Sequence, residues 1–136
     1  MRVFLDANVL CSAAKSDGAV RALLRLLLDN GHECWVDDYV LIEARRNLIA
    51  KAPAALIPFE ALLKHLRISP AQAPGPELKL VNWLPEKDRT VLAAAIRLRC
   101  DALVTGDRTH FGPGYGKSFG GVVIHSPRSL AERLIG

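Results

Sequence analysis

Apolar residues open the chain without alternation, in "MRVFL", and continue through "VLCSAA" after two polar residues, Asp6 and Asn8. A short β-rich run that is apolar on both faces predicts a central strand of a parallel sheet over residues 1–6. The period then changes. In residues 16–31, Val20, Leu23, Leu24, Leu27 and Leu28 share one helical face, with Ser16 or Asp17 as N-cap and Gly31 as the stop. "ECWVDD" (33–38) returns to a short strand, and "DYVLIEARRNLIAK" (38–51) predicts a helix opened by Asp37 or Asp38 and ended before Pro53. Residues 54–67 predict another helical stretch, bent or started at Pro58, with Phe59, Leu62, Leu63 and Leu66 as its buried stripe.

"RISPAQAPGPELKLVNWLP" offers a short strand at Arg67–Ser69 and then a proline-rich surface connection. A helix follows from Pro85 to about Arg99, placing Val91, Leu92, Ala95, Ile96 and Leu98 toward the core. "ALVTGD" is a fourth strand ending in a turn, "RTHFGPGYGKSFG" a glycine-rich loop, and "GVVIH" a last strand. "SPRSLAERLI" closes the pattern as a helix with Ser126 as cap and Pro127 at its first position. Strands alternating with helices predict an α/β fold with a mostly parallel sheet and helices on both faces. Such sheets carry their sites beyond the carboxyl ends of the strands, which is where Asp6 and Asn8 fall.

At 136 residues the expectation is one domain, residues 1–136, with one core. Half the residues are hydrophobic and about a quarter charged, as in ordinary globular proteins. The net charge of +4 suits a polyanionic partner only weakly. Arg2 before an apolar run ending in "CSAA" imitates a signal peptide, but Asp6 and Asn8 interrupt the run and argue against export. No segment is long enough to span a bilayer, so a cytoplasmic protein without membrane contact is expected. Cys11, Cys34 and Cys100 are odd in number and widely spaced among apolar residues, which reads as reduced core cysteines.

Most acids have local explanations as caps or solvated positions. Four do not. Asp6 and Asp107 end strands, Glu43 lies early in its helix among Leu41, Ile42 and Ala44, and Asp88 lies in the first turn of its helix. Strand ends and the N-terminal turns of the following helices face one rim, so the four carboxylates can converge. Two unit charges about 5 Å apart repel by about 3 kcal/mol at an effective dielectric of 20. Several such pairs would rival a domain's whole stability of roughly 5 to 15 kcal/mol, so the cluster must stay partly protonated or hold cations. Oxygen ligands without a Cys or His pattern point to Mg²⁺ or Mn²⁺, whose chemistry is phosphodiester hydrolysis. Asn8 and Thr105 are placed to hydrogen-bond and orient the carboxylates.

The stretches "FLDANVL", "LIEARRNL", "KDRTVLAAAIRLRCDALVTGD" and "VVIHSPRSL" resemble the PIN-domain proteins, and among them the single-domain bacterial VapC-like group. The resemblance spans nearly the whole chain and keeps the acids in order, with Asp88 to Asp107 its most specific part. It implies a three-layer α/β/α, Rossmann-like fold and a ribonuclease dependent on Mg²⁺ or Mn²⁺. It further implies metal binding by Asp6, Glu43, Asp88 and Asp107, the toxin role of a type II toxin–antitoxin pair, a cognate antitoxin partner and a homodimer. Two departures stand out: Ala7 replaces a frequent hydroxyl residue, and the loop over residues 108–121 is long and glycine-rich.

Arg45, Arg46, Arg89 and Arg108 flank the acids in sequence and are candidates for RNA phosphate contacts, against the ordinary alternative of a solvated basic face. Lys51 is a further cation near the same helix. His110 and Tyr115 are candidates either to stack on a base or to anchor their loop, and Trp35 and Trp83 are expected in the core. Asp101 reads as a structural turn or ion-pair residue. Two rival functions remain open. One is an inactive PIN-like scaffold that binds RNA or protein. The other, a phospho-accepting receiver, is disfavoured because the last strand offers no lysine.

Overall fold

A computed structural model describes residues 1–135. Strand β1 (Arg2–Leu5) lies inside a six-stranded sheet, between β2 (Glu33–Asp37) and β4 (Ala102–Val104), both parallel to it. β3 (Arg67–Ser69) extends the sheet beyond β2, and β6 (Val122–His125) extends it beyond β4; the order is β3-β2-β1-β4-β6-β5. The edge strand β5 (Ser118–Phe119) is the antiparallel one. Val3, Phe4, Leu5, Leu103 and Val104 are fully buried, as apolar residues on both faces of inner parallel strands must be. Pairing of Leu5 with Val104, and of Phe4 with Trp35, brings the carboxyl ends of β1, β2 and β4 level.

The chain leaves β1 without a loop. Helix α1 (Ala7–Lys15) begins at once, with Asp6 as its N-cap. The strand at residues 1–6 is thus followed by an unforeseen helix. The α1 residues Ala7, Val9, Leu10, Cys11, Ala13 and Ala14 are buried, and its polar face is only the narrow exposed stripe Asn8, Ser12 and Lys15, spaced one helical turn apart and easily lost in an otherwise apolar run. It packs against α2 (Ala19–Asp29), α3 (Asp38–Lys51) and α4 (Leu56–Leu63), which cover its remaining sides.

Other expectations need smaller corrections. α2 is capped by Gly18 without a side-chain bond, because Ser16 closes α1 and Asp17 accepts from Arg25 at 3.0 Å. Asp37 caps α3 through Val40 N–H, 3.0 Å away. A short 3₁₀ turn (Pro53–Ala55) leads into α4, where Pro58 sits in the first turn and forfeits no helical bond. The proline-rich connection holds one turn of helix, α5 (Leu78–Val81), which packs on α6 (Glu86–Arg97). Trp83 is not a core residue: it stacks on Phe119 with ring centroids 4.9 Å apart and keeps a solvent-facing edge. Trp35 is half-buried, its Nε1 donating to Glu33 at 2.9 Å. The three cysteines are free and buried, and burial pushes the Cys34 and Cys100 thiols up to about 12, which keeps them unreactive.

The glycine-rich loop is largely ordered. It contains α7 (Arg108–Phe111), a 3₁₀ turn (Gly112–Gly114) and β5, which returns to β6 through Gly120 and Gly121. These two residues have φ of +57° and +86° and join a pair in register at Phe119 and Val122, the signature of a two-residue hairpin turn. α8 (Pro127–Ile135) follows, with Ser126 Oγ accepting from Ser129 N–H at 3.1 Å. Among the described residues no helix is long and apolar enough to cross a membrane.

A methyl group at Gly120 would lie 2.9 Å from Ile96 Cγ2, whereas one at Gly31, also at positive φ, would meet nothing. Gly120→Ala is therefore expected to destabilise the fold by about 1–3 kcal/mol through crowding added to backbone strain. Gly31→Ala should cost about 1 kcal/mol or less. Urea unfolding of both variants checks this, and equal losses would show that crowding at the hairpin is negligible.

Candidate metal centre

Asp6 is the hub of the rim. Its Oδ1 accepts from the Ala7 N–H at 2.8 Å, while its Oδ2 accepts from Thr105 Oγ1 at 2.8 Å and from Asn8 Nδ2 at 3.2 Å. Asn8 Oδ1 accepts from the Gly106 N–H at 2.8 Å, and Thr105 Oγ1 accepts from the Asp107 N–H at 3.2 Å. These bonds stitch the β1–α1 junction to the turn after β4. The backbone confirms the alignment, with Asp6 N–H donating to Val104 C=O at 3.0 Å. Asn8 and Thr105 thus sit on the carboxylate they were placed beside from sequence, and the two polar residues that interrupt the opening apolar run have partners.

Asp88 lies in the first turn of α6 and is buried; Asp107 caps α7, its Oδ1 accepting from the His110 N–H at 3.1 Å. The two carboxylates meet at the His110 ring. Nδ1 lies 2.8 Å from Asp88 Oδ2 and 3.0 Å from Asp107 Oδ2, and ligand atoms of the three residues all lie within 4.8 Å of one another. Despite these distances, Asp88 Oδ2 and His110 Nδ1 are buried with no aligned hydrogen-bond partner. Polar atoms left this way are costly, and a convergence of them marks a place for a cation.

Glu43 is half-buried on α3, one turn beyond Tyr39 on the same face. Its charge reaches Asp6, Tyr39 and the Cys11 thiol. Glu43 and Asp6 lie outside the tight Asp88–Asp107–His110 group, and the charges of Glu43 and Asp88 both reach Asp6. Burial holds the Asp88 carboxyl above its ordinary value; His110 opposes this and Asp107 adds to it. The Tyr39 phenol is raised by burial and then by Glu43, Asp88, Asp37 and Asp6, so it stands among four carboxylates. Tyr39 has no reading as a site residue in the sequence, and His110 is read there only as a ring to stack on a base or anchor its loop, not as a neighbour of the acids. Each had a signal, being one helical turn from a predicted acid: Tyr39 four residues before Glu43, His110 three after Asp107.

The basic candidates divide. Arg45 donates to Glu60 at 2.9 Å and lies over the Phe59 ring, and Arg89 donates to the carbonyls of Leu84 and Asn82 at 2.6 and 3.2 Å. Both hold structure together. Arg46, Arg108 and Lys51 are exposed. Tyr115 anchors its loop, the hydroxyl donating to Thr105 C=O at 2.8 Å. Asp101 accepts from the Arg2 N–H at 2.8 Å, a structural role. Beside the acids runs an open depression lined by Asn8, Ser12, Val20, Gly106, Asp107 and Pro127.

A family model described as PIN domain matches residues 2–109. No curated protein matches the sequence. Similar solved structures include VapBC2 from Rickettsia felis bound to a DNA fragment from its promoter (TM-score 0.68, 17% identity, covering 93% of this chain and 98% of that one). DNA-bound VapBC from Salmonella typhimurium is similar too (TM-score 0.67, 13% identity, 93% and 98% covered). So is Mycobacterium tuberculosis VapC20, a Sarcin-Ricin loop cleaving toxin (TM-score 0.61, 14% identity, 86% and 98% covered). At these identities the likeness is one of fold.

Burial raises the Asp6 carboxyl from 3.8 to about 6; the Thr105 and Ala7 bonds pull it down, and Glu43 and Asp88 push it up. The folded state therefore holds this proton more tightly than the unfolded chain. Stability from that proton is complete below the unfolded value and is lost as pH rises through about 6. The loss amounts to about 3 kcal/mol. Urea midpoints of the metal-free protein should fall between pH 4 and 7, and fall less in Asp6→Asn. A midpoint rising over that interval would contradict the electrostatics of the rim.

Proposed function

The chain belongs to the PIN-domain family, and from that membership together with the geometry of its acids we propose that it is a metal-dependent endoribonuclease hydrolysing RNA phosphodiester bonds. One observation carries the proposal: the buried Asp88 Oδ2 has no hydrogen-bond partner and faces Asp107 across a gap of ligand dimensions. The donor set fits a small divalent ion such as Mg²⁺ or Mn²⁺, held by Asp6, Glu43, Asp88 and Asp107. Bound there, the ion supplies a Lewis acid for water activation and for charge on the phosphoryl oxygens.

The protein's own groups do the positioning. Thr105 and Asn8 fix both the rotamer and the ionised edge of Asp6, and Asp107 is held by the α7 turn that it caps. Tyr39 lines the rim where a scissile phosphate would approach. The depression along Asn8, Ser12 and Gly106 gives the substrate strand a path to the acids, with Arg46 and Arg108 free to meet flanking phosphates. Arg45 and Arg89 contribute less, since both are engaged in the fold.

We further propose that the protein is the toxin of a type II toxin–antitoxin pair, cytoplasmic, homodimeric and restrained by a cognate antitoxin. Support comes from the VapBC complexes among its fold relatives. The chain as a whole reads as one catalytic domain. An inactive scaffold would have no use for an unpartnered buried carboxylate.

Cleavage of a structured RNA should require Mg²⁺ or Mn²⁺ and stop on chelation. Asp6→Asn and Asp88→Asn should each lower the rate by about a hundredfold or more, the loss of several kcal/mol of transition-state stabilisation, with far-UV circular dichroism unchanged. Undiminished cleavage by folded Asp88→Asn would remove the proposal.

A further inference from the structure

The imidazole of His110 has no role in an all-carboxylate centre, yet it occupies the middle of this one. Its Nδ1 stands 2.8 Å from Asp88 Oδ2 and 3.0 Å from Asp107 Oδ2. Adjacent ligands at about 2.1 Å from an octahedral ion are separated by √2 times that length, about 3.0 Å. Both nitrogen-to-oxygen distances therefore match the spacing of neighbouring ligands around one small cation, and ligand atoms of all three residues lie within 4.8 Å of one another.

At these distances a protonated ring would pair with both carboxylates, yet the geometry is poor for a hydrogen bond. No N–H direction on Nδ1 is aligned with either oxygen, and both Nδ1 and Asp88 Oδ2 are left without partners in a buried setting. The Asp88 side chain is itself only 9% exposed and points into the cluster. A proton on Nδ1 would make the ring an ion-pair partner of both carboxylates; with the proton on the other ring nitrogen, the Nδ1 lone pair faces the two carboxylate oxygens, and one cation between them meets all three.

The ring is also held ready. Asp107 uses Oδ1 to cap the His110 backbone N–H at 3.1 Å, leaving Oδ2 beside the side chain of the residue it caps. The next residue, Phe111, is fully buried, and Tyr115 ties the following turn to Thr105. Such anchoring lowers the entropy lost when the ring takes a ligand.

We propose that His110 supplies a nitrogen ligand through Nδ1, making a mixed centre with Asp88 and Asp107 that selects Mn²⁺ over Mg²⁺. The proposal rests on the metal-dependent reading above and sharpens it. Mg²⁺ binds oxygen and sheds water reluctantly, whereas imidazole favours first-row transition ions. His110 thus biases the choice of metal as well as completing the set.

The test is titration of the intact protein with MnCl₂ alone, followed by electron paramagnetic resonance, with MgCl₂ as competitor. Bound Mn²⁺ should show pulsed-resonance modulation from an imidazole ¹⁴N. In His110→Phe the modulation should vanish and the Kd for Mn²⁺ should rise about tenfold or more, while that for Mg²⁺ shifts less than about threefold. If His110→Phe does not fold, His110→Gln and the wild-type ¹⁴N signal serve instead. Mn²⁺ bound without ¹⁴N modulation, or a Mn²⁺:Mg²⁺ preference unchanged in the variant, overturns the role of His110 and leaves the acidic centre standing. Failure of the wild-type protein to bind Mn²⁺ at all overturns both.

Discussion

Asp6 joins the end of the central strand to the start of α1 and, through Thr105, to the end of β4, all while nearly out of water. A carboxylate in that position is favoured only when every lone pair is met, and three donors meet most of the need. They do not meet all of it, since the group still takes up a proton at about 6. Because the parallel strands end level, acids that follow a strand or open the next helix arrive at the same rim, as Asp88 and Asp107 do, and Glu43 lies near enough for its charge to reach Asp6. The protein carries an electrostatic deficit there that its own cations leave unfilled. About 3 kcal/mol at Asp6 alone is a large share of a margin of roughly 5 to 15 kcal/mol.

The apolar interior is what tolerates this. Phe4, Leu5, Leu10, Leu92 and Leu103 are fully buried directly beneath the rim elements, each removing apolar surface worth about 1.5–3 kcal/mol. The same packing fixes the acids, since Asp6 and Asp107 cap the helices that follow their strands, and Asp88 opens α6. Capping is thus a second use of the site residues: Asp6 and Asp107 each spend one oxygen on the backbone, while the other is held by Thr105 and Asn8 in Asp6 and lies beside the His110 ring in Asp107.

Much of this was legible in the residues. Unbroken apolar runs at β1 and β4 signalled inner parallel strands, and the strand-then-helix order placed the acids on one rim. What stayed hidden was hidden for identifiable reasons. Helix α1 is buried on most sides, and its polar face is narrowed to Asn8, Ser12 and Lys15, a helical spacing masked by the apolar strand that runs straight into it. The 108–121 segment looked like a loop because its glycines serve a hairpin turn and close packing, as where Gly114 meets Trp83. Trp83 was expected inside because tryptophan is large and apolar, yet its best partner, Phe119, lies on an edge strand. His110 drew notice only as a ring for stacking. Its place among the acids depends on the short α7 helix, whose one turn of spacing from Asp107 is plain only once that helix is known.

Diffraction from a crystal soaked in Mn²⁺, recorded at the manganese absorption edge, measures the central feature directly. A metal centre at the carboxyl rim predicts an anomalous peak within about 2.5 Å of both Asp88 Oδ2 and Asp107 Oδ2. No peak there, with those oxygens turned to protein or solvent partners, would contradict it.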